Sequence, residues 1–148
     1  MIRIIKLSVL SLTVDLLMSA WLVDLSASAH EGHRHAPASA KKLKNPVSAT
    51  EENIEAGRTL FNRNCASCHG EDGKAKTDTA AALKVKPTDL NGHEMHGITD
   101  GEIYWVITNG IKKSGMPALN AKTKPTERWQ MALYVKHLMG EHPHASGD

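Results

Sequence analysis

Residues 57–69 read Gly57-Arg58-Thr59-Leu60-Phe61-Asn62-Arg63-Asn64-Cys65-Ala66-Ser67-Cys68-His69. Cys65 and Cys68 are the only cysteines in the chain. They are three positions apart, so on a helix the two thiols share one face. His69 follows directly and brings an imidazole to the same end of the segment. Upstream, Ile54, Gly57, Leu60 and Phe61 recur at helical spacing, which predicts an amphipathic helix running into the cysteines.

Two thiols one turn apart with a histidine at the next position read as a covalent c-type haem attachment site. Cys65 and Cys68 would form thioethers with the two vinyl groups of one haem, and His69 would ligate its iron. Three other readings fit the pattern less well. A structural zinc site needs four ligands, and there is no second cysteine pair. A thioredoxin-like redox pair expects a βαβ context, and the flanks here are helical. A disulfide across so short a span is strained.

Composition bounds the rest. The 148 residues suffice for one modest domain, and a net charge of +2 does not suggest a nucleic-acid binder. One Phe, two Tyr and three Trp make a thin core. A bound porphyrin would add apolar surface to pack around.

The amino terminus reads as an export signal over residues 1–29. Arg3 and Lys6 precede a mostly apolar stretch from Leu7 to Leu25, and Ala27-Ser28-Ala29 has the small-x-small form of a cleavage site. Asp15 and Asp24 interrupt the apolar run. A carboxylate within a bilayer costs roughly 2.5–3.5 kcal/mol, which argues against a permanent anchor, although a retained anchor is the alternative. Export agrees with the motif, because haem is attached covalently outside the bacterial inner membrane. The expected location is periplasmic, or anchored in the inner membrane facing the periplasm.

Residues 30–49 are expected to be a disordered, histidine-rich linker, with His30, His33 and His35 at its start. Such a tail is a loose divalent-metal site or simply solvated polar chain. Residues 50–140 are the expected domain and 141–148 a flexible tail. Within the domain, Thr50 is a good N-cap for the first helix, with Glu51 and Glu52 complementing its dipole. Residues 74–97 read as irregular, with a short turn near Thr79 to Leu83, and Pro87 breaks any helix there. Thr99-Asp100-Gly101-Glu102 is a capping box that opens a middle helix, with Ile103, Val106 and Ile107 inward and Gly110 at its end. A last helix is expected from about Thr126 to Met139, burying Trp129, Ala132, Leu133, Val135 and Leu138. The fold class is all-α, with three main helices.

The Gly57/Phe61 helix, the Cys65–His69 motif, the loop Gly115-Met116-Pro117 and an aromatic-faced last helix follow one another in this order. In that order the chain resembles the class I cytochrome c family, and within it the small bacterial monohaem cytochromes, over about residues 50–140. The resemblance implies a cytochrome c-like fold, three main helices and loops packed around one covalent haem c. It implies Met116 as the distal axial ligand, so that iron is held by His69 and Met116. His93, Met95 and His96 are rival ligands, but their surroundings do not match the family's ligand loop. The resemblance also implies that His69 donates its other N–H to a backbone carbonyl at Pro87, and that Phe61 meets Leu133 or Tyr134 where the first and last helices cross. Trp105 and Trp129 are candidates for a haem propionate or for the core.

The expected function is one-electron transfer, not enzymatic catalysis, because two protein ligands leave iron no position for a substrate. The competing reading is a haem module that binds a small ligand or handles peroxide with a displaceable distal ligand. Redox proteins are the expected partners, with acidic patches docking on Lys74, Lys76, Lys84, Lys86, Lys112 and Lys113. Nucleic acid is not expected, and a membrane only if the amino-terminal segment is retained.

Overall fold

The computed structural model describes residues 36–140. The expected signal, the first part of the linker and the carboxy-terminal tail therefore lie outside the described residues. Five α-helices follow in order: α1 (Glu51–Asn64), α2 (Ala66–His69), α3 (Asp78–Ala82), α4 (Asp100–Asn109) and α5 (Pro125–Leu138). Short 3-10 turns lie at Ala40–Lys42, His93–Met95 and Lys112–Ser114. No strand is present among the described residues; an isolated bridge pairs Ile111 with Met116.

The helices start where their caps dictate. Thr50 accepts a hydrogen bond from the Asn53 N–H at 3.3 Å. Thr99 and Glu102 form the reciprocal capping box, with the Thr99 N–H donating to Glu102 Oε2 at 2.9 Å. The last helix begins one residue earlier than expected, at Pro125, whose fixed φ suits the first helical position. Glu127 closes that end by accepting from the Lys124 N–H at 2.6 Å.

α1 crosses α5, and α4 packs against α5 from another side. This places α5 at the centre. Its buried surface is wider than the expected stripe: Arg128, Met131, Tyr134 and Lys136 are buried beside Trp129, Ala132, Leu133 and Val135. At the crossing, a Cβ added to Gly57 would lie 2.1 Å from the Gln130 carbonyl oxygen, so only glycine permits the approach. One turn on, Phe61, 1 % exposed, packs its ring 5.2 Å from that of Tyr134. Gln130 Nε2 donates to Asn53 Oδ1 at 3.0 Å. The core joins these residues to Ile103, Ile107, Leu119 and Leu90.

The buried cations are satisfied. Arg128 donates from Nε to Thr108 Oγ1 at 3.0 Å and from Nη1 to the Thr123 carbonyl, and its guanidinium lies 5.6 Å from the Tyr104 ring centroid. Lys136 Nζ donates to the Ile98 carbonyl at 2.9 Å. Trp129 stacks on Tyr104 at 3.9 Å and belongs to the core.

One expectation is corrected. The chain from Ala36 to Ala49 was expected as part of a disordered linker. It is instead a strap with ordered contacts. Ala40 is buried, its carbonyl and Leu43 lie against Gly101 at the start of α4, and Asn45 Nδ2 donates to the Trp129 carbonyl at 3.2 Å. Small apolar residues and one side-chain amide are enough to dock a segment whose composition looked like linker.

Candidate functional site

α1 delivers the cysteines. Its last backbone bond runs from the Cys65 N–H to the Phe61 carbonyl at 2.7 Å. Cys65 then leaves helical geometry, at φ −124° and ψ −35°, and α2 restarts over the next four residues. Cys65, Cys68 and His69 are thus gathered in a single turn, all half-buried. Both cysteines are free. Burial, and secondarily the neighbouring Cys68, push the Cys65 thiol up to about 12, so it is protonated at neutral pH.

The imidazole is oriented by backbone. His69 Nδ1 lies 3.2 Å from the Thr88 carbonyl oxygen. A carbonyl can only accept, so Nδ1 carries the proton and Nε2 keeps its lone pair. Burial lowers the His69 pKa, and the Thr88 bond opposes that shift. The neutral ring is the form that can ligate a metal. The acceptor is one residue beyond the expected Pro87. Pro87 itself is half-buried, and its fixed φ stiffens the segment that carries the Thr88 carbonyl.

The carbonyls at the end of α2 have no partners within their own helix, and the following loop supplies them. Thr77 Oγ1 donates to the Ser67 carbonyl at 2.8 Å and lies 3.4 Å from that of Cys68. The Ala75 N–H donates to the His69 carbonyl at 2.6 Å, with Ala75 at a left-handed φ of 55°. The Thr77 hydroxyl also accepts from the Ala80 N–H, capping α3. Sequence reading did not single out Thr77; its signal was a threonine ahead of Asp78 at a short helical start.

Met116 is presented by a different element, the loop after α4. Ile111 and Met116 exchange backbone hydrogen bonds of 3.0 and 3.2 Å. The Leu119 N–H returns to the Ile107 carbonyl at 3.0 Å. Met116 is half-buried. The two parts border one apolar cluster: Leu119 belongs to it, and Cys65 and Ala66 pack against it. The rivals lie elsewhere. His93 and His96 are exposed and stack on each other at 5.0 Å, while Met95 packs on the core. Trp105 is half-buried.

Among the described residues no three or more His, Cys, Asp or Glu gather to hold a metal ion. Two unpaired cysteines one turn apart, a neutral imidazole with a free Nε2 and a soft thioether on a separate loop fit haem.

Residues 52–135 match the family described as cytochrome c oxidase, cbb3-type, subunit III. The chain is 32 % identical over 87 residues to the cbb3-type cytochrome c oxidase subunit CcoP of Azospirillum brasilense, covering 58 % of this chain and 28 % of that one. It is 35 % identical over 80 residues to cytochrome c6 of Leptolyngbya boryana, covering 54 % of this chain and 86 % of that one. The chain thus spans about a quarter of the oxidase subunit's length, but most of the cytochrome c6. A chain of the Kuenenia stuttgartiensis reducing HAO-like protein complex superposes with a TM-score of 0.58 at 26 % identity, over 63 % of this chain and 46 % of that one.

Proposed function

We propose, for a chain that belongs to the cytochrome c family matched by the cbb3-type oxidase subunit III model, the role of an exported one-electron carrier with a single haem. The chain is a c-type cytochrome domain, and haem with its iron is the cofactor that this family implies. When bound, haem supplies one iron that alternates between two oxidation states. Cys65 and Cys68 would hold the group covalently through their sulfurs. His69 would bind the iron through Nε2, and Met116 would offer its thioether sulfur as the other protein donor. A neutral thioether favours ferrous iron and raises the potential. With two protein donors on the iron, the group would pass electrons and leave no position for a substrate.

The observation that carries this reading is the His69–Thr88 hydrogen bond, which selects the tautomer with a lone pair on Nε2. Export is supported by the signal pattern over residues 1–29. Among the described residues no helix is long and apolar enough to cross a membrane. Redox proteins are the partners. Lys74, Lys76, Lys84, Lys112 and Lys113 are exposed and suited to steering an acidic docking surface. Lys86 is spent differently, its ammonium donating to the Ala80 and Ala81 carbonyls at the end of α3.

The visible spectrum of the purified protein tests the assignment. The ferric form should show the weak long-wavelength charge-transfer band of methionine-ligated iron. Met116→Ala should abolish that band, lower the potential and admit cyanide rapidly. High-spin bands and fast cyanide binding in the unmodified protein would instead indicate the ligand-binding module.

A further inference from the structure

Gly110 ends α4, and its N–H donates to the Val106 carbonyl at 2.8 Å. Its φ of 67° and ψ of −174° lie in a region open essentially to glycine. The space around it is more restrictive than the torsion. A Cβ at residue 110 would lie 2.5 Å from the Met116 carbonyl oxygen, 2.7 Å from the Ala118 nitrogen and 2.8 Å from the Pro117 carbonyl carbon. All three are backbone atoms, so none can swing aside as a side chain could. The same backbone is held by the Ile111–Met116 bridge before it and by the Leu119–Ile107 bond after it.

We propose that Gly110 is a positioning residue for Met116: having no side chain, it lets residues 116–118 lie directly on the end of α4, and this contact sets where the thioether is delivered. The inference rests on the reading of Met116 as an axial ligand. The neighbouring turn supplies a control. Gly115 also has a positive φ, of 78°, but a Cβ there would meet nothing within 4 Å. An alanine at 115 brings backbone strain alone; an alanine at 110 brings strain and collision.

The test compares ferric holoproteins of the unmodified chain, Gly110→Ala and Gly115→Ala, with the reduced spectrum recording how much haem is attached. Each is titrated toward alkaline pH until the methionine–iron band disappears. Gly110→Ala is expected to lack the band, or to lose it at least about one pH unit below the unmodified protein, a roughly tenfold shift in the ligation equilibrium. Gly115→Ala should shift less. If Gly110→Ala loses its band at the same pH as Gly115→Ala, the positioning role is wrong while Met116 remains the ligand. If the unmodified protein has no such band, the ligand assignment fails and this inference fails with it. Should Gly110→Ala yield no holoprotein, amide hydrogen exchange on the unmodified protein decides. The Gly110, Met116 and Leu119 amides should then exchange together as one unit, and a Met116 amide exchanging orders of magnitude faster would overturn the proposal.

Discussion

His69 is tied to Thr88 through a ring nitrogen and a main-chain oxygen 3.2 Å apart. The Thr88 side chain takes no part in this bond. Thr88→Ala should therefore leave spectrum and potential unchanged. Pro87→Gly loosens the segment that presents the carbonyl. It should cost about 1 kcal/mol of stability through the unfolded chain. It should also raise the potential, because a less firmly bonded imidazole is a weaker donor to ferric iron. Voltammetry on both variants checks this, and a larger shift in Thr88→Ala would contradict it.

The crossing of α1 and α5 leaves no room at residue 57. Gly57→Ala should destabilise by about 3 kcal/mol, because the obstruction is the Gln130 main chain. Ala56→Gly on the same helix should cost only about 1 kcal/mol. Denaturant unfolding of the two variants gives the comparison, and equal losses would argue against a close crossing.

Thr77 serves the end of α2 and the start of α3 with one hydroxyl. Thr77→Val keeps the shape and removes both bonds, and should cost about 1–2 kcal/mol. Thr77→Ser retains the hydroxyl and should recover most of that loss. Thermal unfolding distinguishes them.

These sites differ in how far the sequence disclosed them. Local signals were legible: Thr50 and Thr99 announce helix starts, and the Cys65–His69 spacing announces its own chemistry. The crossing partner of Phe61 narrowed to two residues and proved to be Tyr134, because ring packing depends on the angle between helices. The His69 acceptor fell one residue from the expected Pro87, since an irregular loop has no period to fix its register. Arg128 and Lys136 were not among the residues expected to be buried on the last helix. Their burial depends on α4 and the segment at Ile98 closing over α5, which no local pattern encodes. The strap from Ala36 was missed for the same reason, its contacts being with residues about 60 to 85 positions away.

Tyr134 gives a pH dependence. Burial raises its phenol pKa, against a smaller lowering by Arg58, while Glu55 and Glu71 add to the rise. Above the ordinary tyrosine pKa the unfolded chain loses this proton while the folded chain keeps it, so stability falls as pH rises through that window. Below it the contribution is fully present. Tyr134→Phe removes the ionisation and the long 3.4 Å bond to the Glu71 carbonyl. Its alkaline stability curve should be flatter than that of the unmodified protein. Parallel curves above pH 10 would count against the shift.

The strap and the methionine loop meet opposite ends of the same helix. Ala40 and Leu43 sit at Gly101, and Met116 sits at Gly110. Ten residues of α4 separate those ends by about 15 Å. A thiol or affinity handle introduced at the exposed Lys41 would therefore wire the domain to an electrode from the end of α4 remote from Met116. Current recorded in that orientation, compared with current from a handle placed at Lys112, would report which edge of the domain electrons use.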